Sequence, residues 1–398
     1  METMAILTNG GDTCALNASV EAIRQEACRI GFVSIFGIEG GYHGLLWKNY
    51  RKLTAGLEKR RGGSELGSLR ESPVKLNMVT GKYEIDDGKV ARMVETLNEL
   101  EVNVLVVIGG DGTLQATKMF HQKVQDKYKF RIMGFPKTID NDIRTKTTFE
   151  GIGVSLCPGY PSAARKIAQA TMDIQTTAVS ARRVFGVETM GRDAGWLAAA
   201  SADGGPDMIL IPEFPLNKQA KELLIQRTEN RFRKNKHVVI VVSEGTKWAN
   251  RKGDIVQISN TAFGPRKLGG VVNTVVKFID TKLGKKFDDS TPFGVRPHHT
   301  DYLPRSGSPC EYDLKLVAVL AERLRTLLEK EKYGKVPVLR TVVPYEKLSV
   351  EHTAALDIDE MEPKPFPERD FYDKDRLATN KVFGKFLRTI TSGPDSAR

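Results

Sequence analysis

Two short, mostly apolar runs, residues 104–108 and 131–135, constrain the fold of this chain most strongly. Each ends at glycine or proline, which is typical of buried parallel strands in an α/β sheet. Polar segments follow both runs, Gly-Gly-Asp-Gly-Thr at 109–113 and Pro-Lys-Thr-Ile-Asp-Asn-Asp at 136–142. Because ligands bind at the carboxyl ends of such strands, we expect both segments to lie at the same edge of the sheet.

The residue types in these segments are those that phosphoryl transfer requires. The glycines allow the backbone to approach a phosphate closely. The carboxylates of Asp111, Asp140 and Asp142 are suited to holding Mg²⁺ and to activating a hydroxyl group. The two segments therefore predict a phosphoryl-transfer enzyme.

Strand-like and helix-like segments alternate along most of the chain, which predicts right-handed crossovers and mostly parallel sheets. The predicted class is α/β, with two Rossmann-like three-layer domains and an active site in the cleft between them. Helices are expected near residues 17–30, 89–100, 162–172, 218–233, 271–283, 314–331 and 381–389. Residues 362–367 alternate proline with other residues, which excludes a helix or a central strand there.

Composition and charge argue against a secreted, membrane-spanning, zinc-binding or nucleic-acid-binding protein. There is no basic and apolar leader at the amino terminus and no apolar stretch long enough to span a membrane, so we expect a cytoplasmic protein without a membrane partner. The four cysteines have no C-x-x-C spacing, which argues against a zinc site or a disulfide framework. The net charge of +11 favours anionic ligands. The densest basic cluster, at 227–237, contains one aromatic residue, which does not make a stacking platform, so nucleic acid is not expected as a partner.

With these two segments, the chain resembles the phosphofructokinase superfamily from about residue 4 to residue 312. Members of that superfamily transfer a phosphoryl group from ATP or pyrophosphate to the 1-hydroxyl of fructose 6-phosphate. Gly-Gly-Asp-Gly-Thr alone is a weak signal, because it also occurs in NAD kinases and lipid kinases. Together with Thr-Ile-Asp-Asn-Asp it is a strong indication of the phosphofructokinase superfamily. The function predicted is that of a 6-phosphofructokinase of glycolysis.

Two other functions compete with this prediction. An NAD kinase would share the first motif. The complete 136–142 segment and the arginines of the later part of the chain argue against an NAD kinase. A nucleic-acid-binding or purely regulatory protein with the same fold would not need the complete carboxylate set.

The resemblance also implies a domain organisation. Residues 1–142 together with about 304–360 would form the phosphoryl-donor domain, because the chain returns to the first domain through the helix near 314–331. Residues 143–303 would form the sugar-phosphate domain. Residues 361–398 would form a C-terminal arm that lies over the surface.

The resemblance assigns catalytic roles to the second motif and to a later turn. Asp140 would act as general base on the sugar hydroxyl, with Asp142 either as its support or as a second carboxylate on the metal side. Thr138 would donate a hydrogen bond to the transferring group, and Arg192 would stabilise its charge. Asp111 is the expected Mg²⁺ ligand, and Mg²⁺ is the expected cofactor.

The donor-binding residues implied by the family come from four segments. They are Gly11, Arg70, Gly110, Asp111, Gly112, Thr113 and Lys137. The first glycine loop, which begins with Gly10-Gly11-Asp12, departs from the family, which usually has Pro-Gly where this chain has Cys14 and Ala15. The effect of that departure on the shape of the loop is left open.

The sugar-phosphate site implied by the family comes from three later segments. Its residues are Arg183, Met190, Gly191, Glu244, Arg296, Tyr302 and Arg305. Four of these residues resemble the family's clamp on the 6-phosphate: Arg183, Arg296, Tyr302 and Arg305. Arginine suits this role because it binds phosphate through two parallel hydrogen bonds. In the family, the arginines that match Arg183 and Arg296 come from the neighbouring subunit, so self-association to a dimer or tetramer is expected. Tyr302 replaces a histidine that many members carry.

Two positions bear on the phosphoryl donor and point in different directions. Gly112 leaves room for an α-phosphate and a nucleoside, which favours ATP, whereas pyrophosphate-specific relatives commonly carry aspartate there. Lys137 is the residue that pyrophosphate users carry, whereas relatives specialised for ATP often have glycine. Since a steric block is harder to evade than an added charge, we expect ATP, with pyrophosphate as the alternative.

Overall fold

The computed structural model describes residues 2–77, 80, 82–250, 254–257, 268–287, 290–392 and 394. The strands of the amino-terminal part are β1 (Glu2–Asn9), β2 (Phe32–Ile38), β3 (Tyr50–Lys52), β4 (Val74–Leu76), β5 (Tyr83–Ile85), β6 (Val104–Gly109) and β7 (Arg131–Pro136). The helices are α1 (Leu16–Arg29), α2 (Tyr42–Trp47), α3 (Asp87–Glu99) and α4 (Asp111–Val124).

The first sheet has the strand order β3-β2-β1-β6-β7. Strands β2, β1, β6 and β7 run parallel, and β3 is the antiparallel edge strand. Every residue of β6 is buried, because its side chains alternate between two hydrophobic cores on the two faces of the sheet. This is the pattern of a parallel strand that is covered by helices on both faces.

The middle of the chain builds a second sheet. Its strands and those around it are β8 (Thr147–Phe149), β9 (Ile152–Val154), β10 (Val184–Thr189), β11 (Met208–Leu210), β12 (Val238–Ser243), β13 (Lys247–Ala249), β14 (Ile255–Gln257) and β15 (Val295–His299). Its helices are α5 (Tyr160–Ala181), α6 (Trp196–Ala200), α7 (Lys218–Asn235) and α8 (Val271–Leu283). The parallel order β11-β12-β10-β15 confirms the predicted α/β class with two mostly parallel sheets.

The last part of the chain returns to the first sheet. Its elements are α9 (Glu311–Glu329), β16 (Lys335–Leu339), β17 (Thr353–Asp357), α10 (Glu368–Phe371), β18 (Tyr372–Asp373), β19 (Ala378–Thr379) and α11 (Lys381–Thr391). Helix α9 packs against α1, and the Nε of Arg325 lies 2.8 Å from Oε2 of Glu26. The N–H of Gly334 donates to the carbonyl of Ile132, which places β16 beside β7. The return helix predicted near 314–331 is α9.

Helix α5 is longer than the predicted segment 162–172. It continues to Ala181 and ends where Arg182 takes a left-handed conformation with φ of 49°. Beyond residue 172, Ala178 is the one fully buried residue of the helix, whereas Met172 and Val179 are exposed, so the apolar pattern is weaker in the last turns. No helix among the described residues is long and apolar enough to cross a membrane.

The expected position of residues 361–398 over the surface needs correction. The rings of Phe366, Phe371, Phe383 and Phe386 are fully buried and surround the indole of Trp196. The predicted short helix near 381–389 is confirmed as α11. Burial of these four rings removes a large apolar area from water, which anchors the segment to the second sheet. Residues 393 and 395–398 of the predicted arm lie outside the described residues.

Candidate active site

The two acidic segments meet at the carboxyl ends of neighbouring strands. β6 and β7 pair in parallel, with Gly109 opposite Pro136, so the chain leaves both strands at the same edge. Asp111 begins α4, and the extended backbone of Gly110 turns the chain into that helix. The expectation that the two motifs share one edge of the sheet is confirmed.

Residues 138–142 form a closed turn that fixes both carboxylates. The hydroxyl of Thr138 accepts from the N–H of Asp140 at 3.0 Å and donates to Oδ1 of Asp142 at 3.1 Å. Asn141 between them is fully buried in the left-handed region, and its Nδ2 donates to the carbonyl of Ser155 at 2.8 Å. Asparagine tolerates this conformation better than most residues, which explains its place between the two aspartates. Asn141 was not among the site residues expected from the sequence.

The electrostatics of the turn favour proton transfer. Burial raises the pKa of Asp140, and the positive charges of Arg305 and Arg192 oppose the rise. Burial raises the pKa of Asp142 to about 7, and the negative charges of Asp140 and Asp111 add to the rise. Oδ1 of Asp140 is buried without a hydrogen-bond partner among the described residues. A carboxylate with a raised pKa and an unpartnered oxygen is a stronger proton acceptor than an ordinary aspartate.

The same carboxylates bear on metal binding. The described residues contain no group of three or more His, Cys, Asp or Glu side chains arranged as a metal site. Mg²⁺ often takes only one or two carboxylates and completes its shell with water and substrate phosphates. Burial raises the pKa of Asp111, and its contact with Nε2 of Gln115 is long at 3.5 Å. The residues therefore fit a cation that arrives with a phosphate donor, because it would offset the repulsion between Asp111, Asp140 and Asp142.

A cavity of about 490 Å³ lies between the first glycine loop, at residues 10–12, and a second glycine-rich loop, at residues 62–70. Gly11 and Arg70 both line it. The N–H of Gly10 donates to the carbonyl of Leu69 at 2.8 Å, so the two loops are joined directly. The exposed guanidinium of Arg70 is close enough to Asp140 to lower the pKa of that carboxyl. Two of the predicted donor-binding residues therefore face one cavity next to the acidic turn.

Cys14 and Ala15, where the first loop departs from the family, are fully buried. Ala15 precedes α1 without a side-chain cap, and its N–H lies 3.3 Å from Oγ1 of Thr13. Burial raises the pKa of the Cys14 thiol to about 11, so the thiol is protonated at neutral pH and is a poor nucleophile.

Lys137 and Thr113 contact the first glycine loop. The ammonium group of Lys137 is fully buried and donates to the carbonyls of Asn9, at 3.2 Å, and of Gly11. The hydroxyl of Thr113 donates to the same carbonyl of Asn9 at 3.3 Å. Burial lowers the pKa of Lys137 to about 7. By contrast, Gly112 faces open space, since a Cβ placed on it would meet no atom of the described residues within 4 Å.

Arg192 lies in a tight turn between β10 and α6. Gly191 and Arg192 both have positive φ, and their N–H groups donate to Oε1 of Glu244 at 3.3 Å and 3.1 Å. The Arg192 side chain is exposed, and its charge lowers the pKa of both Asp111 and Asp140. Glu244 thus holds the turn that keeps the charge of Arg192 near Asp111 and Asp140. Met190, just before this turn, is half-buried against the main core.

The four residues of the predicted phosphate clamp do not meet within one chain. Arg183 precedes β10, and Arg296 lies opposite Phe185 near the start of the neighbouring β15. Tyr302 and Arg305 follow the other end of β15, and Tyr302 is 69% exposed. The five residues of β15 separate its two ends by roughly 15 Å.

Arg305 lies over the first glycine loop. Its Nη1 donates to the carbonyl of Asp12 at 3.0 Å, and a Cβ on Gly11 would approach the same nitrogen to 2.7 Å. A glycine at position 11 therefore makes room for this guanidinium. Of the four clamp residues, Arg305 is the one that the fold places next to the donor cavity.

Glu188, a buried carboxylate near the end of β10, was also not among the residues expected from the sequence. It accepts from the N–H groups of Gly270 at 2.8 Å and Val272 at 2.9 Å, which begin α8, and from Nδ1 of His299 at 3.3 Å. The preceding glycine pair followed by an apolar helical run was the available signal of a helix start that needs an acceptor. Glu188 therefore fixes α8 against the edge of the sheet that carries Met190.

Comparison with known proteins places this arrangement in a family. The sequence matches the family model described as Phosphofructokinase over residues 3–328. It is 30% identical over 375 residues to ATP-dependent 6-phosphofructokinase 2 of Clostridium perfringens, covering 90% of this chain and 94% of that protein. It is also 30% identical over 377 residues to the pyrophosphate–fructose 6-phosphate 1-phosphotransferase of Amycolatopsis methanolica, covering 93% and 99%.

Solved structures agree in fold. The pyrophosphate-dependent phosphofructokinase from Marinobacter aquaeolei has a TM-score of 0.76 to this structure at 20% identity, covering 99% of this chain and 92% of that one. With the family match over most of the sequence, this chain belongs to the phosphofructokinase family.

Proposed function

We propose that this protein is a 6-phosphofructokinase, which transfers a phosphoryl group to the 1-hydroxyl of fructose 6-phosphate. The observation that carries the proposal is the convergence of Asp111, Asp140 and Asp142 at one sheet edge, with the charge of Arg192 close enough to act on Asp111 and Asp140. The family match and the names of relatives on both donors support the reaction class.

We assign the proton transfer to Asp140, because its raised pKa and its unpartnered Oδ1 suit a general base. Asp142 supports it by raising the local negative charge and by accepting from Thr138. In the reaction, Thr138 would turn its hydroxyl toward the transferring group. Arg192 would offset the negative charge on the equatorial phosphoryl oxygens.

We propose Mg²⁺ as the cofactor, held by Asp111 and the donor phosphates. Bound there, the ion would neutralise charge on the transferring phosphoryl group. The fit rests on the surplus of buried negative charge at Asp111, Asp140 and Asp142.

We propose ATP as the donor, with pyrophosphate as the alternative. Gly112 leaves open space where a side chain would meet an α-phosphate. The ammonium group of Lys137, the feature that favours pyrophosphate, is already bonded to the carbonyls of Asn9 and Gly11. Gly11, Gly110, Thr113 and Arg70 would complete the donor site. Relatives named for each donor match at the same identity, so only an assay decides between the two.

We propose that two copies of the chain complete each sugar-phosphate site. Tyr302 and Arg305 of one copy would meet Arg183 and Arg296 of another, because these pairs lie at opposite ends of the strands within one chain. Met190, Gly191 and Glu244 would line the sugar. The exposed last turns of α5, which lead directly to Arg183, offer a surface for this contact. Either a dimer or a tetramer satisfies this requirement.

We retain the proposed division into a donor domain of residues 1–142 with about 304–360, a sugar domain of 143–303 and a C-terminal segment of 361–398. The packing of α9 and β16 on the first sheet supports it. The hairpin β8–β9 joins the two proposed domains, since the N–H of Thr148 in the sugar domain donates to the carbonyl of Arg340 in the donor domain.

The test is the initial rate of fructose 1,6-bisphosphate formation with Mg²⁺, measured in parallel with ATP and with pyrophosphate. Turnover with ATP alone is expected. Turnover with pyrophosphate alone would assign the donor to Lys137 instead of Gly112. No turnover with either donor, from protein shown to be folded, would refute fructose 6-phosphate as the acceptor.

A further inference from the structure

Glu213 lies in the turn after β11 and touches two distant parts of the chain. Its Oε1 accepts from the N–H of Gly195 at 3.0 Å and from the N–H of Phe366 at 2.9 Å. Its Oε2 is buried without a hydrogen-bond partner among the described residues. One carboxylate oxygen therefore joins the turn that carries Arg192 to the C-terminal segment.

The Arg192 turn is held at both ends by carboxylates. Glu244 accepts from the N–H groups of Gly191 and Arg192, and Glu213 accepts from Gly195 at the far end. The turn is closed internally by the N–H of Ala194, which donates to the carbonyl of Gly191 at 3.0 Å. Movement of Gly195 would therefore move Arg192 relative to the acidic residues.

We call residues 361–366 the strap, because they run from the first motif to the Arg192 turn. At one end, Nε2 of Gln115 donates to the carbonyl of Met361 at 2.6 Å and also lies 3.5 Å from Oδ1 of Asp111. In the middle, the N–H of Lys364 donates to the carbonyl of Asp142. At the other end, the ring of Phe366 packs edge-on against Trp196, the first residue of α6, at 5.1 Å between centroids.

The strap thus contacts both halves of the candidate site: the acidic segments that carry Asp111 and Asp142, and the turn that carries Arg192. It lies beyond residues 3–328, the part of the chain that matches the family model. Main-chain hydrogen bonds hold it to the acidic turn, and Glu213 holds it to the Arg192 turn. Because buried polar groups of this kind are costly to leave unpaired, the two attachments resist independent movement.

We propose that Glu213 is a positioning residue for the phosphoryl transfer, which couples the strap to the Arg192 turn and so holds Arg192 in place relative to the Asp140 carboxylate. This inference rests on the proposed function. Glu213 does not touch the reacting atoms in this arrangement. It acts through Gly195 and Phe366, and small displacements of a charge-stabilising group reduce the rate of such reactions steeply.

The test compares Glu213→Asp with Glu213→Gln in the full chain. Aspartate keeps the charge but draws the oxygens back by one methylene, so it loses reach to both N–H groups. Glutamine keeps an oxygen acceptor at the original reach. We expect Glu213→Asp to lower kcat about tenfold or more at an unchanged KM for the phosphoryl donor, and Glu213→Gln to stay within about threefold of the wild type.

The matched control is Glu362→Gln, on the strap itself, which removes only an exposed ion pair with Arg144. It should leave kcat unchanged, since exposed pairs contribute little. Equal kcat in Glu213→Asp and the wild type would refute the inference. Because the wild type is assayed in parallel, an inactive wild type would count against the proposed function and not against the coupling.

Hydrogen–deuterium exchange of the wild type provides a second measurement that does not depend on the folding of a variant. Adding fructose 6-phosphate should slow exchange in peptides that cover residues 190–196 and in those that cover 361–367. Slower exchange in 190–196 alone would show that the strap is not coupled to the turn and would overturn the inference.

Discussion

Replacing Asp142 with asparagine should stabilise the folded protein while it impairs the reaction. A carboxyl whose pKa rises from 3.8 to about 7 on folding costs on the order of 4 kcal/mol once it is ionised. Asparagine removes that cost and keeps an oxygen that accepts from Thr138, although a hydrogen bond to a neutral acceptor is weaker by about 1 kcal/mol. The expected net gain in the free energy of unfolding is therefore about 3 kcal/mol at pH 8.

The pH dependence makes this prediction specific. The folded wild type binds more protons than the unfolded chain between pH 3.8 and about 7, so its free energy of unfolding falls as the pH rises through that window. Above about pH 7 the loss is complete. Asp142→Asn lacks this contribution, so the advantage of the variant should be small near pH 4 and largest at pH 8.

The assay is urea unfolding of both proteins from pH 4 to pH 8.5 with a chelator present. Asp126→Asn is the matched control, because no buried hydrogen bond or ion pair involves that carboxylate among the described residues. Lower stability of Asp142→Asn at pH 8, or a difference that does not change with pH, would refute the reasoning. Adding Mg²⁺ and nucleotide should stabilise the wild type more than the variant, because ligands stabilise the state that binds them.

Three further predictions test the site. Asp140→Asn should lower kcat by about 10²- to 10⁴-fold, and a smaller loss in initial-rate assays would reject Asp140 as the base. Gly112→Asp should fold normally, since open space surrounds that position. It should lower kcat/KM for ATP about tenfold or more, because the added carboxylate repels the donor phosphates. Unchanged kinetics would show that Gly112 does not determine the donor. Subunits with Asp140→Asn and subunits with Arg183→Ala should each be inactive alone. After mixing and reassembly as dimers they should regain about one quarter of wild-type activity, because half of the dimers are mixed and each mixed dimer has one intact site. No recovery would reject a shared site.

Local pattern was sufficient for much of the fold and for the acidic centre. Helix α8 has the bounds expected from its apolar repeat, Val271–Leu283, and β6 and β7 are the two runs with which the sequence analysis began. Periodicity and strand-ending glycines are properties of neighbouring residues, so the sequence displays them directly. Two adjacent parallel strands then necessarily bring Asp111 and Asp140 to one edge.

The directions of long side chains and the contacts between distant segments were decided only by the tertiary structure. Lys137 could face a donor phosphate or a carbonyl, and the fold places its ammonium group against Asn9 and Gly11. The proline-rich strap has no periodicity, yet Phe366 is buried against Trp196 and is bonded to Glu213. Such contacts join residues far apart in the chain, and their free energy depends on burial that no local pattern encodes.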